Sequence, residues 1–235
     1  MQIRAVLNEL EGIAPPDLAE ADDTEKIGVI VEGDEEIRNV CCSVDVTPGV
    51  VEQAIARQCN LIVSHHNPFW DPLTSFQGYD ARLLRMLLSD RITLYVMHTN
   101  FDRAPRGVNQ TLARLLGLEN IREMPMGVTG DCRLSLRQIG KRLNAPLRLY
   151  GNLDQLHTLA LVGGSGFRSE LIEYAWRQGA DAFLSAELKH HVALRSPIPL
   201  LESTHYDLEA PAMRRLAEEQ GWSFVETDLS CRKIP

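Results

Sequence analysis

Three short apolar runs in this chain end at residue types that bind metal ions. The runs and the residues after them are Leu61-Ile62-Val63 before His65 and His66, Leu94-Tyr95-Val96-Met97 before His98 and Asp102, and Leu200-Leu201 before His205 and Glu209. If each run is a buried strand of an α/β sheet, these imidazoles and carboxylates lie at strand carboxyl ends, where such folds place their ligands. The pattern therefore predicts an α/β fold with a metal site.

The composition indicates a globular protein and argues against broad binding to nucleic acid. The 235 residues suffice for two modest α/β lobes or one large domain, and 44% hydrophobic with 24% charged residues is ordinary for a globular protein. A formal net charge of -8 argues against broad binding to nucleic acid phosphates, although a small basic groove is compatible with it. We expect a small-molecule substrate more than a nucleic acid.

Cysteines and apolar runs indicate the compartment. The five cysteines form no C-x-x-C pair, which favours reduced thiols over a disulfide framework or a zinc ribbon. The first ten residues carry charge too early for a signal sequence, and no apolar run reaches membrane-spanning length. We therefore expect a soluble, cytoplasmic protein.

Helical and strand patterns alternate along the chain, which predicts mainly parallel sheets. An amphipathic helix is expected around residues 3–10. Thr47 and Pro48 have the N-cap and first-turn proline of a helix that runs to about residue 58. Pro211 is expected in the first turn of a helix that follows the last apolar run.

The second half of the chain repeats the plan of the first. Residues 50–66 lie over residues 171–187 without a gap at an offset of 121, and His98-x-x-x-Asp102 lies over His205-x-x-x-Glu209 at an offset of 107. Any two βα units share part of this pattern, but the recurrence of H-x-x-x-[DE] favours a true duplication. We predict two similar α/β lobes, residues 1–124 and 125–235, with a dinuclear metal site in the cleft between them.

The candidate ligands follow from their spacing. His205 and Glu209 are four residues apart, so both reach one ion if a helix begins early enough. Asp102, four residues after His98, supplies a matching carboxylate, and Glu209 is the candidate bridge between two ions. Imidazole with carboxylate suits zinc, iron or manganese. The alternative for Asp102 and Glu209 is helix capping or compensation of the helix dipole.

Other polar segments leave two interpretations open. His65 and His66 form either part of the metal site or an exposed loop. The Gly163–Gly166 segment, Gly-Gly-Ser-Gly, forms either a tight turn or a contact to phosphate. Glu187 falls at the position of His66 in the repeat, so it either faces the same cleft or begins a surface helix. His98 and Glu187 are the candidate catalytic residues for proton transfer.

The chain resembles, over nearly its whole length, the Nif-three-like dinuclear metal-binding family, also called GTP cyclohydrolase I type-two homologues. The matching motifs are H-H-x-x-x-W from His65 to Trp70, H-x-x-x-D from His98 to Asp102, the Gly-Gly-Ser-Gly turn, the Ser-Ala-Glu-Leu-Lys-His-His segment, and the stretch from His205 to Glu209. The resemblance implies two metal ions, with ligands at His65, His66, Asp102, His205 and Glu209. It also implies a ring-shaped homohexamer with His98 close to the ions.

Two segments depart from the family pattern. Ser185-Ala186 replaces the usual Thr-Gly, which leaves the geometry of that turn open. The tail at residues 229–233 lacks the expected Pro-Asn-Pro ending, which leaves the C-terminal contacts open.

The resemblance supports more than one function. It implies a hydrolase in which two divalent cations activate water against a nucleotide-type substrate such as GTP. It also permits a non-catalytic metal-binding scaffold or regulatory adaptor. Action on nucleic acid inside the ring is a third hypothesis, and it requires basic residues such as Arg103, Arg106 and Lys189 to line the interior. A metal-dependent product from a nucleotide would favour the hydrolase.

Overall fold

The structure is a computed structural model and describes residues 1–227. The described residues form two compact units, one made of residues 1–101 and 213–227 and the other of Asp102–Ala212. Two β-sheets and intervening helices confirm the predicted α/β class. The bounds of these units differ from the predicted lobes 1–124 and 125–235, and the lobe division stays a prediction. The departing tail at residues 229–233 lies outside the described residues.

The first unit contains a mainly parallel sheet. Its strands are β1 (Gly28–Val31), β2 (Val40–Ser43), β3 (Leu61–Ser64), β4 (Thr93–Val96) and β11 (Ser223–Phe224), in the order β1-β4-β3-β2-β11. The pairs β4 with β3, β3 with β2 and β2 with β11 are parallel. Strand β1 joins β4 in the antiparallel direction. The carboxyl ends of β3 and β4 therefore meet at one edge, with Ser64 opposite Val96.

The helices up to residue 103 are α1 (Ile3–Ile13), α2 (Pro48–Ala56), α3 (Gly78–Ser89) and α4 (Thr99–Arg103). The Thr47 side chain accepts a hydrogen bond from the Val50 N–H at 3.2 Å, so the predicted N-cap of α2 is confirmed. Apolar residues of α2 and α3 pack with the sheet in one buried cluster that includes Val51, Leu87 and Ile62. This packing fixes the strand ends from which the candidate ligands extend.

The second unit contains a mixed sheet. Its strands are β5 (Glu119–Glu123), β6 (Val128–Asp131), β7 (Arg148–Tyr150), β8 (Thr158–Leu161), β9 (Ala182–Ser185) and β10 (Leu200–Glu202), in the order β5-β6-β8-β9-β10-β7. Strands β8, β9 and β10 are parallel, as predicted. The remaining pairs are antiparallel, because β5 and β6 are joined by a short hairpin and β7 enters the edge from the opposite direction.

The remaining helices are α5 (Val108–Leu116), α6 (Leu136–Leu143), α7 (Ser169–Arg177), α8 (His190–Ala193) and α9 (His205–Gln220). The boundary between the two units along the chain, after Ala212, falls within the residues of α9. In α9 the sequence prediction was wrong about Pro211, which lies inside the helix and not in its first turn. The helix begins earlier because Thr204 accepts a hydrogen bond from the Asp207 N–H at 3.2 Å and so caps it.

The bounds of several elements follow the repeat seen in the sequence. An offset of 121 carries α2 onto α7 and β3 onto β9, residue for residue. In the first sheet β3 belongs to the parallel group β4-β3-β2-β11, and in the second sheet β9 belongs to the parallel group β8-β9-β10. An antiparallel strand borders each group, β1 beside β4 and β7 beside β10. Within the described residues, no helix is both long and apolar enough to cross a bilayer.

Candidate metal centre

Three histidines cluster at the carboxyl ends of β3 and β4. His65 and His66 follow β3, and His98 comes two residues after β4. The centroid of the His65 ring lies 5.0 Å from that of His66 and 5.1 Å from that of His98. Each ring offers one nitrogen, and these three nitrogens lie within 4.8 Å of one another. The spacing is short enough for one cation to be held among them.

The Nδ1 atom of each ring in this cluster is hydrogen-bonded to an oxygen that only accepts. The pairs are His65 with the Met97 carbonyl at 2.8 Å, His66 with Asp45 Oδ1 at 2.7 Å, and His98 with Asp23 Oδ2 at 2.6 Å. Because carbonyl and carboxylate oxygens donate no hydrogen, Nδ1 must carry the proton of a neutral ring. The lone pair is then on Nε2, which is the arrangement typical of histidines that bind metals.

Asp23 is a buried support for this cluster. Besides His98, its Oδ2 accepts hydrogen bonds from the Thr99 N–H at 3.1 Å and the Thr99 hydroxyl at 2.7 Å. Burial raises the pKa of Asp23, but the hydrogen bonds from His98 and Thr99 outweigh burial and lower it to about 2. The carboxylate therefore stays ionised and holds the His98 ring in place.

The second unit brings together three other predicted residues. His205 and Glu209 are four residues apart on α9, with His205 Nε2 and Glu209 Oε1 at 2.9 Å. The Glu187 carboxylate lies 2.6 Å from His205 Nδ1. Glu209 is buried, whereas Glu187 is largely exposed. As in His66 and His98, Nδ1 of His205 is hydrogen-bonded to a carboxylate, and its Nε2 lies beside a second carboxylate, that of Glu209.

Glu187 is held in an unusual backbone conformation. Its φ is 60°, in the left-handed region that glutamate rarely adopts. The next amide, Leu188 N–H, donates to Oε1 of the buried Glu202 at 3.0 Å. The Tyr150 hydroxyl donates to Oε2 of Glu202 at 3.1 Å. These contacts anchor the turn that carries Glu187, so the strained backbone serves to place a carboxylate against His205.

The glycine turn of the second unit packs directly against the same ligand pair. Gly164 has a φ of +63°, and a Cβ atom built there would lie 2.3 Å from Glu209 Oε1 and 3.0 Å from His205 Nε2. Only a residue without a side chain fits this position. Of the two interpretations of the Gly163–Gly166 segment, the close turn is the one that these distances explain.

Asp102 lies in α4 at the start of the second unit. It is buried, with 8% of its surface exposed, and its backbone oxygen accepts a hydrogen bond from the Asn109 amide at 2.9 Å. Asp102 and Glu209 are not N-caps, since Asp102 is the fourth residue of α4 and Thr204 caps α9. Neither carboxylate therefore stands at a helix-capping position, but Asp102 lies in the first turn of α4, where a carboxylate also compensates the helix dipole.

Sequence reasoning missed Asp23 and Asp45. Asp45 lies two residues after β2, so the rule that pointed to the histidines after β3 also applies to it. Asp23 lies in a short 3-10 turn, Ala21–Asp23, within an acidic loop that shows no periodic pattern. Lys189, His190 and His191 are exposed around the start of α8.

The chemistry of the donors fits a divalent cation. The clustered side chains that could hold a metal ion offer imidazole nitrogens and carboxylate oxygens, and these donors suit zinc, iron or manganese. The cysteines of the described part, Cys41, Cys42, Cys59 and Cys132, are buried and belong to none of these groups. The residues therefore fit a metal bound by nitrogen and oxygen and not by thiolate.

Comparison with known proteins gives consistent matches over the whole chain. Residues 1–231 match the family model described as Duf34/NIF3 (NGG1p interacting factor 3). A Streptomyces coelicolor protein named GTP cyclohydrolase 1 type 2 homolog is 28% identical, over 94% of this chain and 88% of its own. A Methanocaldococcus jannaschii protein of the same name is 28% identical, over 93% of this chain and 94% of its own.

Solved structures share the fold. Reduced HcgD from Methanocaldococcus jannaschii has a TM-score of 0.85 and 25% identity, and covers 97% of this chain and 98% of its own. The Staphylococcus aureus hypothetical protein SA1388 has a TM-score of 0.85 and 26% identity, and covers 100% of this chain and 99% of its own.

Proposed function

The chain belongs to the Duf34/NIF3 family, and from that premise we propose that it is a dinuclear metal-dependent hydrolase acting on a nucleotide-type substrate, in the manner of a GTP cyclohydrolase. One observation carries the proposal. The rings of His65, His66, His98 and His205 all have Nδ1 hydrogen-bonded to an acceptor oxygen, so Nε2 is the ring nitrogen that would bind a cation. In His205 this nitrogen lies 2.9 Å from Oε1 of Glu209, another proposed ligand. Relatives named GTP cyclohydrolase 1 type 2 homolog support the substrate class.

The proposed ligands are the residues expected from the sequence. They are His65 and His66 in the first unit, and Asp102, His205 and Glu209 in the second. Two divalent cations are proposed, each zinc, iron or manganese, because neutral imidazole and carboxylate are the donors these ions accept. Such cations, when bound, would supply a water molecule acidic enough to act as a nucleophile near neutral pH.

The residues of the chain would then orient the ligands and move protons. His98 is the proposed proton-transfer residue, because Asp23 fixes its ring beside His65 and His66. The sequence also indicates proton transfer for Glu187. Its contact with His205 Nδ1 supports an orienting role for Glu187 alongside that proposal.

Assembly and location complete the proposal. The family resemblance supports a ring-shaped homohexamer, and buried cysteines without a disulfide in the described part support a cytoplasmic protein. Light scattering coupled to size-exclusion chromatography measures the assembly. A mass of six chains is expected, and a monomeric mass would contradict the hexamer.

Replacement of one proposed ligand tests the function. Asp102→Ala should abolish both metal content and turnover, because it removes a buried carboxylate from the ligand set. Metal is measured by elemental analysis of protein purified without chelators. Turnover is measured by incubating the metal-loaded protein with GTP, other nucleotides and phosphoesters. Asp154→Ala, which removes an exposed carboxylate, is the matched control and should change neither.

The outcomes separate the hypotheses. Turnover retained in Asp102→Ala would remove the metal from the mechanism. A wild-type protein that binds metal but forms no metal-dependent product from any of these compounds would favour the non-catalytic scaffold.

A further inference from the structure

Next to the histidine cluster of the first unit, a lysine lies over an indole ring. The Lys26 ammonium is 4.1 Å from the centroid of the Trp70 ring. The Trp70 ring in turn meets the His98 ring edge to face, with centroids 4.9 Å apart. Trp70 is 40% exposed and Lys26 is half-buried. A positive charge and an accessible aromatic surface therefore adjoin the candidate metal ligands.

Backbone contacts fix Lys26 at this position. Its N–H donates to the Asp23 carbonyl at 2.8 Å, and its carbonyl accepts a hydrogen bond from the Asn67 side chain at 3.1 Å. Asn67 also accepts the Phe69 N–H at 2.8 Å, which ties down the segment that leads to Trp70. The Asp23 side chain holds His98. The same turn thus positions both the lysine and a ring of the histidine cluster.

Within residues 1–227, no carboxylate forms an ion pair with the Lys26 ammonium. In this part of the chain, the Lys26 ammonium contacts the Trp70 ring. A lysine over an aromatic face is attracted to the ring, yet it keeps its three N–H donors for another partner. In a chain with a net charge of -8, a positive charge held in this way is suited to an anionic ligand.

We propose that Lys26 and Trp70 form a substrate subsite that binds an oxyanion, phosphate or carboxylate, carried on a flat ring. Lys26 takes the oxyanion and the exposed part of Trp70 contacts the ring, with the rest of the molecule directed toward His98. This inference rests on the proposed function, and it adds which residues recognise the substrate and which chemical groups the substrate must carry.

Binding of small probes to the metal-loaded protein tests the subsite. The probes are phenylphosphonate, whose carbon–phosphorus bond resists hydrolysis, benzoate, and neutral phenol, each titrated by calorimetry. Lys26→Met removes the charge but keeps the stem over the indole. It should weaken phenylphosphonate binding about tenfold, as expected for one partly exposed charged hydrogen bond, and leave phenol binding unchanged. A similar loss for benzoate would assign the subsite to oxyanions in general, and no loss would assign it to phosphate.

Two further variants test whether the loss of binding is specific to the position of Lys26 and whether the Trp70 ring contributes. Lys141→Met removes an exposed lysine of α6 and should bind all probes like the wild type. Trp70→Leu should weaken the binding of phenol as well as phenylphosphonate, because it removes the aromatic surface. Thermal melting and metal content of each variant are measured alongside, so that a misfolded protein is recognised before binding is compared.

The subsite and the proposed function fail in different ways. The subsite is overturned if Lys26→Met binds phenylphosphonate like the wild type, or if the wild type does not bind it at millimolar concentration. If the wild type takes up no metal while Lys26→Met still weakens phenylphosphonate binding to the metal-free protein, the proposed function fails and the subsite stands.

Discussion

At the scale of single residues, the direction of each imidazole ring is decided by its Nδ1 partner. Among the three rings of the first unit, His66 is the most accessible, and its partner Asp45 is only partly buried. A carboxylate on Nδ1 fixes the tautomer, orients the ring and makes Nε2 a stronger ligand. We therefore expect the residues that hold the rings to contribute to the metal affinity of the proposed ligands.

Asp45→Ala should weaken metal binding to the first unit on the order of 10-fold to 100-fold, the usual cost of losing such a partner. The affinity is measured by competition with a chelating dye. Asp90→Ala, which removes an exposed carboxylate at the end of α3, should leave it unchanged. Equal affinities in Asp45→Ala and the wild type would show that His66 needs no partner to bind.

At the scale of elements, the turns after two strands place left-handed residues beside the proposed ligands His205 and Glu209. The turn after β9 puts Glu187 in a left-handed conformation, and the turn after β8 does the same to Gly164. Glycine adopts this conformation at no cost, whereas glutamate does not. The hydrogen bond from Leu188 to the buried Glu202 offsets part of the cost at Glu187.

Two glycine substitutions should have opposite effects on stability. Gly164→Ala should lower the free energy of unfolding by about 1–3 kcal/mol, because alanine is strained at this φ and its Cβ would meet Glu209. Gly12 lies in α1, and a Cβ added there would have nothing within 4 Å. Gly12→Ala should therefore raise the free energy of unfolding by roughly 0.5–1 kcal/mol, because alanine favours a helix more than glycine does. Urea denaturation measures both. Two changes of the same sign would contradict the packing of the glycine turn.

At the scale of the whole molecule, buried titratable groups in the first sheet make stability depend on pH. Burial raises the pKa of the Cys42 thiol in β2 above its ordinary value of 9.0. Burial, together with Glu11, raises the pKa of Tyr95 in β4 from 10.0 to about 12. Both groups stay neutral in the folded protein at pH values where the unfolded chain has already released the proton.

The free energy of unfolding should therefore fall as the pH rises above about 9, because the unfolded chain releases protons that the folded protein retains. Cys42 and Tyr95 each contribute their full stabilisation at pH values below the pKa of the unfolded chain. That stabilisation is lost as the pH rises toward the pKa of the same group in the folded protein. Urea denaturation at pH 8 and pH 10.5 with a chelator present measures the change. In Cys42→Ala the free energy of unfolding should fall less between pH 8 and pH 10.5. An unchanged fall would show that other groups cause it.

Much of the local structure was readable from short stretches of sequence. Apolar periodicity and the Thr47-Pro48 start predicted α2, and the offset of 121 predicted the correspondence of α2 and β3 with α7 and β9. The strand-end rule pointed to His65, His66 and His98 as neighbours, because parallel strands β3 and β4 end at one edge. The residue types alone indicated nitrogen and oxygen ligands.

The tertiary structure alone decided which groups hold those ligands. Asp45 is 21 residues from His66 and Asp23 is 75 residues from His98, so strand pairing and loop packing bring them together and no local pattern does. The antiparallel edges of the second sheet and the left-handed turn at Glu187 have the same origin. Sequence determined the elements and the donor types, because these depend on neighbours within a few residues. The orientation of each ring depends on contacts between distant segments, which exist only in the folded chain.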